Sequence, residues 1–490
     1  MKPINVIKIG LCLMLFLQLC SCKKFLDPKI YSETTPENLF QSQKGAESVL
    51  YGGYAKLAEM PGSNIAVITT MLEENTGDFI HSNNADVVNF KRFIFDPATP
   101  GHWDKLWLLP YEAIRNANLI LENIDEGSLP EATKKMMKAE ARFIRAVAYY
   151  KLYMRYGPVP LRTGTFQEMQ MPRATEAEMI EFIETELQTA LPDLPPARQE
   201  PAYGRANQGA AMGYLMKLSL QTKQWQKAAD YAKDIMDLKV YDLFPDYFKL
   251  FWVENERNIE LIWVRPAKAD LNRTAANTFM NIAYPPNFKS HPGTGLQFPA
   301  GASIFSGGLY MYDNAYNSFA PTDKRKDLII SEYINQAGNL VNLTANPDSR
   351  AVFKYWPDSD YMGPAYGNDI PEIRYADVLL TRAEALNELN GPTQEAINLI
   401  NEVRERAGVV DLALVNFPSK ESLRDHILLE RGWEFYLEGQ RRHDLIRHGK
   451  LIERAVQRGQ PAQPHHVRMP IPTFAREANK LLDQNDGYPK

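Results

Sequence analysis

Cysteine is almost absent from this chain. Its three cysteines, Cys12, Cys20 and Cys22, all stand within the first 22 of 490 residues, so a chain cleaved before Cys22 keeps only one. Such a chain can form neither a disulfide framework nor a zinc site built on cysteines. It also has no internal thiol nucleophile, which excludes cysteine-based catalysis.

A surplus of positive charge is missing as well. The 55 Lys and Arg residues are outnumbered by 60 Asp and Glu residues, which gives a formal net charge of -5. Proteins whose main role is to bind nucleic acid usually present excess positive charge, so we expect no nucleic-acid partner. The content of 44% hydrophobic and 23% charged residues is typical of a folded globular protein.

Several motifs of catalytic sites do not occur. The chain has no Gly-Xaa-Ser-Xaa-Gly nucleophile turn and no His-Glu-Xaa-Xaa-His zinc motif, and the glycine-rich loops that hold nucleotides are missing too. His465 and His466 are adjacent, and His443 and His448 are five residues apart, so neither pair has the spacing of helical metal ligands. We therefore expect no catalytic residue, no metal site and no cofactor. A glycoside hydrolase, which needs only two carboxyl groups roughly 5 to 10 Å apart, stays open as a disfavoured alternative.

The first residues have the pattern of an export signal. Lys2 and Lys8 precede an apolar run at residues 9–19. This run is too short for a membrane span, which needs about 20 apolar residues, and its length is typical of a cleaved signal peptide. Nothing later in the sequence has the pattern of a span.

The end of this signal is similar to a bacterial lipoprotein box, Leu19-Cys20-Ser21-Cys22. We predict a signal peptide at residues 1–21, attachment of acyl chains such as palmitate to Cys22, and a tether at residues 22–35. A plain secretory signal or a buried helix is the alternative. Two or more acyl chains anchor a protein durably, because each buried methylene group contributes about 0.8 kcal/mol.

The rest of the chain is predicted to be mainly helical. Thr35 and Pro36 mark the start of a first helix that ends near residue 60. Apolar residues at spacings of three and four predict a helix at residues 129–156. Thr175 and Glu178 form the pattern of a capping box for a further helix.

Two stretches predict helical hairpins. The first covers residues 211–235 around a turn at 221–224, and the second covers residues 378–403 around 390–392. Small residues in both would let the two helices approach closely, as they do in tetratricopeptide units. The alternative is a pair of unrelated antiparallel helices.

The helical pattern lapses between residues 261 and 370, where Pro, Gly, Asn and aromatic residues prevail. Runs at 261–264 and 351–355 predict short strands, and a further strand-like run follows at 469–472. We therefore divide the chain after the tether into an N-terminal helical region (36–260), an irregular aromatic-rich lobe (261–370) and a C-terminal helical region (371–490). The predicted fold is a mainly α, tetratricopeptide-like scaffold with a loop-rich lobe that contains a few short β-strands.

Several stretches together resemble the SusD/RagB family of outer-membrane nutrient-binding lipoproteins. They are CKKFLD at 22–27, ARFIRA at 141–146, YGPVP at 156–160, IRYADVLL at 373–380, AEALN at 383–387, INEVRERAG at 400–408, ERGWEFYLEGQRRHDL at 430–445, PIP at 470–472 and NDGY at 485–488. Gly432 and Trp433 depart from the usual pattern, and residues 478–480 lack the usual Asn-Pro.

The resemblance implies a function and a place in the cell. It implies a lipid-anchored protein of the outer membrane that faces the exterior and covers a SusC-like TonB-dependent transporter. Its role is then to capture a nutrient before import and not to catalyse a reaction. The resemblance implies that the nutrient is a glycan, and a peptide is the alternative.

Charged residues of the matched motifs are expected to be structural. We predict that they form an ion-pair network that holds helices together where one helix bends at Gly439, and that Arg374 and Asp377 begin a helix. The residues of this predicted network are Glu430, Glu434, Glu438, Arg441, Arg442 and Asp444.

Ligand binding is expected where polar and aromatic residues mix without helical periodicity, at residues 73–107 and 284–366. A sugar has apolar faces ringed by hydroxyl groups, so flat aromatic side chains with amide and carboxylate neighbours suit it. For any single aromatic residue, ordinary loop packing is the alternative. The candidates are Asp78, Phe79, His81, Asn83, Trp103, Phe288, Tyr310, Tyr312, Asn314, Tyr316, Trp356 and Tyr361. We further expect the helical repeats to contact the transporter while the irregular lobe binds the nutrient.

Overall fold

A computed structural model describes residues 39–58, 78–84, 87–98, 102–270, 275–304 and 307–490, with the side chains of residues 102 and 103 excepted. The predicted signal peptide, the lipidation site Cys22, the tether at 22–35 and the helix start at Thr35 lie outside these residues.

Helices dominate the described residues, which confirms the predicted mainly α fold. In chain order they are α1 (Gln43–Leu57), α2 (Val88–Lys91), α3 (His102–Asn123), α4 (Glu131–Tyr156), α5 (Glu176–Ala190), α6 (Gln208–Gln221), α7 (Trp225–Asp237), α8 (Phe279–Ala283), α9 (Asp313–Ser318), α10 (Tyr375–Asn390), α11 (Gln394–Arg406), α12 (Lys420–Phe435), α13 (Arg441–Arg447), α14 (Leu451–Gln457) and α15 (Thr473–Ala478).

The helix boundaries follow local signals in the sequence. The helix predicted at 129–156 is α4, and it ends where Gly157 adopts a φ of 73°. The capping box predicted for α5 is confirmed, because Thr175 accepts from the backbone N–H of Glu178 while the Glu178 carboxylate accepts from the backbone N–H of Thr175.

Both predicted hairpins are present. Helices α6 and α7 are joined by a three-residue turn in which Lys223 has a φ of 58°, and α10 and α11 form the second pair. Helix α7 packs on α10, so one hairpin stacks on the other. Ala228 and Ala229 of α7 are buried with Ala385 of α10, and these small side chains allow the close approach that the sequence predicted.

In the part of the chain that the structure describes, short antiparallel strands form three small sheets. The strands are β1 (Ile80–His81), β2 (Leu261–Arg265), β3 (Phe288–Ser290), β4 (Tyr310–Met311), β5 (Ile329–Ile330), β6 (Glu332–Asn335), β7 (Leu340–Asn342), β8 (Arg350–Val352) and β9 (Ile370–Arg374). They pair in the orders β1-β4-β8-β5, β2-β9 and β3-β6-β7. Strands β2 and β8 fall at the two runs predicted from the sequence.

Two expectations about the C-terminal region are wrong. Residues 469–472 form no strand: the two prolines remove backbone donors, and Ile471 instead exchanges hydrogen bonds with the side-chain amide of Gln484. The helix expected to bend at Gly439 ends at Phe435, and α13 begins separately at Arg441. Leu437 and Gly439, with φ of 62° and 76°, make the left-handed break between them.

The predicted ion-pair network is present in part: Glu430, Glu434 and Glu438 belong to one buried network, whereas Asp444 pairs with Arg431 and Arg447, Arg441 pairs with Asp78, and Arg442 donates to backbone carbonyl oxygens. Arg374 contacts carboxylates of Glu260, Glu434 and Glu438, and all four side chains are at most 1% exposed. Burial alone raises the pKa of Glu434, but Arg406 and Arg374 outweigh it and hold this pKa well below its usual range. The same network includes Arg325 and Glu430, so it joins β9, α11 and α12 to the loop-rich lobe.

Arg374 and Asp377 lie at the start of α10 as expected, but Arg374 also ends strand β9, which the sequence did not predict. Among the described residues, no helix combines the length and the hydropathy that crossing a bilayer requires.

Candidate functional site

The two segments predicted to bind ligand meet at one sheet. Strand β1 comes from the first segment and β4 from the second, and they pair with Ile80 opposite Met311 and His81 opposite Tyr310. The backbone N–H of Tyr312 also donates to the carbonyl oxygen of Phe79 at 3.0 Å. This short strand pair therefore makes neighbours of candidate residues from two segments that are far apart in the sequence.

Three rings form what we call the aromatic surface: His81, Tyr310 and Tyr312. The ring centroid of His81 lies 5.7 Å from that of Tyr310 and 4.5 Å from that of Tyr312. Both tyrosines are half-buried, whereas His81 is 7% exposed and lies beneath them. The arrangement leaves two adjacent phenol rings available to a ligand above a buried imidazole.

His81 is held as a neutral base. Its Nε2 lies 2.8 Å from the carbonyl oxygen of Asp348, to which it donates in the matching tautomer. Burial lowers the pKa of His81 to about 4. The imidazole is thus uncharged at neutral pH, and it supports the two tyrosine rings by packing and not by charge.

Polar groups border the aromatic surface. Lys91 donates to the side-chain oxygen of Asn83 at 2.5 Å, and Ser82 donates to the carbonyl oxygen of Gly308 at 2.6 Å. The neighbouring Gly307 has a φ of 103°, and a Cβ there would lie 2.1 Å from the backbone nitrogen of Asn84. Only glycine fits this close crossing, which fixes the loop of Asn83 beside the rings.

A second feature, the arginine cleft, adjoins the aromatic surface. It is lined by Asp78, Asn314, Arg454 and Arg458 and has a volume of about 350 Å³. Asp78 is 3% exposed and receives hydrogen bonds from Arg454 and Arg458 as well as from Arg441. Burial by itself raises the pKa of the Asp78 carboxyl group. The three guanidinium groups outweigh burial and lower this pKa to about 2.

Phe79 and Tyr316 flank these two features. Phe79 is buried under the guanidinium of Arg441, whose carbon lies 4.5 Å from the ring centroid. Tyr316 is half-buried, and the side chains of Lys326 and Arg350 each lie 4.3 Å from its ring centroid. Two cations lie close to the Tyr316 ring, whereas one cation, Arg458, lies near the Tyr312 ring at 5.1 Å, so Tyr316 is a poorer platform for a ligand than Tyr310 or Tyr312.

The other predicted site residues lie elsewhere. Phe288 is fully buried and packs in the core against Tyr333. Trp356 stacks on Trp252 with ring centroids 5.7 Å apart. Tyr361 stacks on Tyr366 and donates to the carbonyl oxygen of Ala300. The structure does not bring these three side chains to the aromatic surface.

The position of Trp103 contradicts one expectation about the first segment. The sequence placed it in a stretch without helical periodicity, but it lies in the first turn of α3, which begins at His102. The segment that precedes Trp103 is rich in Asn, Asp and Pro, which concealed the start of the helix.

Sequence reasoning missed Arg454, Arg458 and Asp348. The two arginines lie outside the motifs and segments that the sequence singled out, and Asp348 lies within the segment 284–366 but was not among the candidates. Arg454 and Arg458 are four residues apart, which puts both guanidinium groups on one side of α14. This spacing is the sequence signal that could have identified them.

The arrangement suits binding of a polar ligand with flat apolar faces. Tyrosine rings stack on such faces, and Asn83, Lys91, Asn314 and the arginines supply hydrogen bonds at the edges. Within the described ranges, no three His, Cys, Asp or Glu side chains converge closely enough to hold a metal ion.

Comparisons with known families cover most of the chain. Residues 24–220 match the profile of a family described as starch-binding associating with outer membrane, and residues 331–488 match the profile of the SusD family. The predicted association with the outer membrane agrees with the first description.

Individual relatives extend over nearly the full length. The chain is 25% identical over 515 aligned positions to SusD-like protein P25 of Formosa agariphila, with 95% of each chain covered. It is 24% identical over 439 positions to the starch-binding protein SusD of Bacteroides thetaiotaomicron, with 76% of each covered. Among solved structures, a laminarin binding SusD-like protein superposes with a TM-score of 0.76 at 22% identity, covering 91% of this chain and 100% of that one.

Proposed function

Because the chain belongs to the SusD family, we propose that it captures an oligosaccharide at the outer membrane and delivers it to a SusC-like TonB-dependent transporter. We propose a binding role and no catalysis. Relatives whose names state starch or laminarin binding support a glycan ligand for this chain.

The observation that carries this proposal is the aromatic surface. Tyr310 and Tyr312 both pack against His81, and both are half-buried, so part of each side chain is accessible to solvent. A protein that needed these rings only for its core would bury them, as it buries Phe288 and Tyr284. Two adjacent tyrosines with amide and ammonium groups at their edges suit a chain of sugar rings.

Membrane attachment completes the proposal. We propose that Cys22 carries the acyl chains that hold the protein at the outer membrane, facing the exterior. Cys22→Ser should then move the protein from the membrane fraction to the soluble fraction and abolish incorporation of labelled palmitate. Retention of the Cys22→Ser protein in the membrane would contradict an anchor at this residue.

The test of the function is calorimetry on the chain from residue 23 onward with a panel of oligosaccharides and peptides. The panel includes maltoheptaose, laminarihexaose and oligogalacturonate, and each mixture is analysed afterwards by thin-layer chromatography. We expect binding of at least one oligosaccharide without cleavage. Binding of peptides alone would favour peptide capture in place of glycan capture, and appearance of shorter sugars would favour a hydrolase.

A further inference from the structure

Three arginine side chains surround the one buried carboxylate of the arginine cleft. Arg441 contacts only Oδ2 of the Asp78 carboxylate, at 2.7 Å through Nε and 2.6 Å through Nη2. Arg454 and Arg458 approach the same carboxylate at 2.9 Å and 3.2 Å. One negative charge therefore faces three positive charges. Arg454 and Arg458 supply the hydrogen bonds to Oδ1, and the cluster of these four side chains keeps a net positive charge.

Two other carboxylates of this region have partners of their own. Glu453, which precedes Arg454 on α14, lies 3.1 Å from the ammonium group of Lys450. Asp313 forms an ion pair with Arg350. Glu453 also interacts electrostatically with Arg454, and Asp348 lies near Tyr312 with Arg458, so among the described residues these groups offset the positive charge of the two arginines only in part.

Both arginines keep donors for a further acceptor. All the described hydrogen bonds of Arg454 use Nη1, which leaves its Nε and Nη2 free for other acceptors. The side chains of Arg454 and Arg458 are 23% and 20% exposed, so a ligand can reach them although they are largely shielded from solvent. In such a place, charge pairs are stronger than on an open surface. The exposed amide of Asn314 lines the same cleft.

Arg458 of the cleft also lies beside the aromatic surface. The guanidinium carbon of Arg458 lies 5.1 Å from the centroid of the Tyr312 ring. A ligand stacked on Tyr312 therefore has its next groups within reach of Arg458. The geometry permits one chain of sugars to contact both features.

From this arrangement we infer that the glycan bound by this protein is anionic, and that Arg454 and Arg458 bind its charged groups. The inference rests on the proposed function. The shared chemistry of the ligand is a planar or tetrahedral oxyanion, either a uronic-acid carboxylate or a sulfate ester. Guanidinium groups bind both with paired, charge-assisted hydrogen bonds.

The experiment compares matched charged and neutral ligands by calorimetry. The probes are hexagalacturonate and its fully methyl-esterified neutral form for the carboxylate arm, and a carrageenan hexasaccharide with its desulfated form for the sulfate arm. Maltoheptaose and laminarihexaose complete the neutral set. We expect the chain to bind one charged probe at least roughly tenfold more tightly than its neutral counterpart. Raising the salt concentration should weaken binding of the charged probe more than binding of its neutral counterpart.

The variant Arg454→Gln/Arg458→Gln should remove this preference, because the uncharged amides keep polar contacts but lose the charge. Arg441 still pairs with Oδ2 of Asp78, and circular dichroism checks that the variant is folded. The matched control is Lys44→Gln/Arg115→Gln, which removes two charges from exposed positions on α1 and α3 and should leave the preference intact. Asn314→Asp adds a negative charge at an exposed position of the cleft and leaves both arginines in place. It should weaken binding of the charged probe about tenfold.

The outcomes separate the inference from the proposed function. Binding of neutral glycans only, or an unchanged preference in the arginine variant, would overturn the anionic ligand while leaving glycan capture in place. Absence of binding to every glycan in both sets would overturn the proposed function itself. A preference that survives Asn314→Asp would place the charged group outside this cleft and would also overturn the inference.

Discussion

Tyr312 and Arg458 face each other where the loop-rich lobe meets the C-terminal helices, with the guanidinium carbon 5.1 Å from the ring centroid. The tyrosine follows strand β4, and the arginine follows the last residue of α14. Asp78, from the N-terminal region, accepts from Arg458 and so joins the same junction. Three regions of the chain thus contribute to one surface, and the predictions below separate their roles.

The first prediction concerns the aromatic surface. Tyr310→Ala and Tyr312→Ala should each weaken glycan binding about tenfold, equivalent to about 1.4 kcal/mol, because each removes a ring available for stacking. Calorimetry with the glycan identified in the panel measures the effect. Tyr51→Ala is the control: Tyr51 is a tyrosine on α1 that is 44% exposed and lies outside the site, so its loss should leave affinity unchanged. Equal losses in all three variants would contradict a localised platform.

The second prediction separates ligand capture from transporter contact. If the helical repeats dock the transporter, the double variant Tyr310→Ala/Tyr312→Ala should lose glycan binding and still co-purify with the transporter from membranes. The physical reason is that these rings lie on a small sheet, away from the hairpins of α6, α7, α10 and α11. Detergent extraction with affinity purification and quantification of both proteins gives the readout. Loss of both properties together would contradict the division of roles.

The third prediction concerns the buried ion pairs. Arg374→Met should destabilise the fold by about 3 to 5 kcal/mol, because it leaves the carboxylates of Glu434 and Glu438 short of partners in a buried environment. The control is Lys233→Gln, which breaks an exposed ion pair with Asp237 on α7 and should cost at most about 0.5 kcal/mol. Urea unfolding followed by circular dichroism compares the two. Similar losses in both variants would show that burial does not set the cost.

The fourth prediction uses the pKa of His81. Burial lowers the pKa of His81 to about 4, whereas the unfolded chain takes up this proton near the ordinary value of 6.5. Between these values the unfolded state binds more protons, so stability is fully present above pH 6.5 and is lost as pH falls toward 4, by at most roughly 3 kcal/mol. His81→Gln keeps a donor for the carbonyl of Asp348 and removes the titration.

Urea unfolding at pH 7.5 and pH 4.5 tests this. The unsubstituted protein should lose more stability between the two pH values than His81→Gln. Asp78 does not interfere, because its pKa is held at about 2 and its protonation destabilises the fold only below its ordinary value of 3.8. His466, whose pKa burial also lowers to about 4, is present in both proteins and cancels in the difference. Equal losses would contradict a buried neutral His81.

Much of the helical fold could be predicted from the sequence because its signals are local. The capping box of Thr175 and Glu178, the stop at Gly157 and the turn around Lys223 each depend on a few adjacent residues. Strand β9 could not be predicted in the same way. Its pairing with β2 is a long-range contact, and its last residue, Arg374, also begins the strong pattern of α10.

The site could be predicted only in part. Mixed polar and aromatic composition indicated both segments that meet at β1 and β4, and it included His81, Tyr310 and Tyr312 among the candidates. Composition does not distinguish an exposed ring from a buried one, so it also selected Phe288, a core residue. Arg458 was missed because its partner Asp78 is hundreds of residues away in sequence, and no local pattern reports such a contact.

The most direct test of the account is a crystal structure of the chain with its bound oligosaccharide. We predict sugar density stacked on Tyr310 and Tyr312, with hydrogen bonds to the groups around Asn83 and Asn314. Density for the oligosaccharide at another place, with the rings of Tyr310 and Tyr312 bare, would contradict the aromatic surface as the binding site.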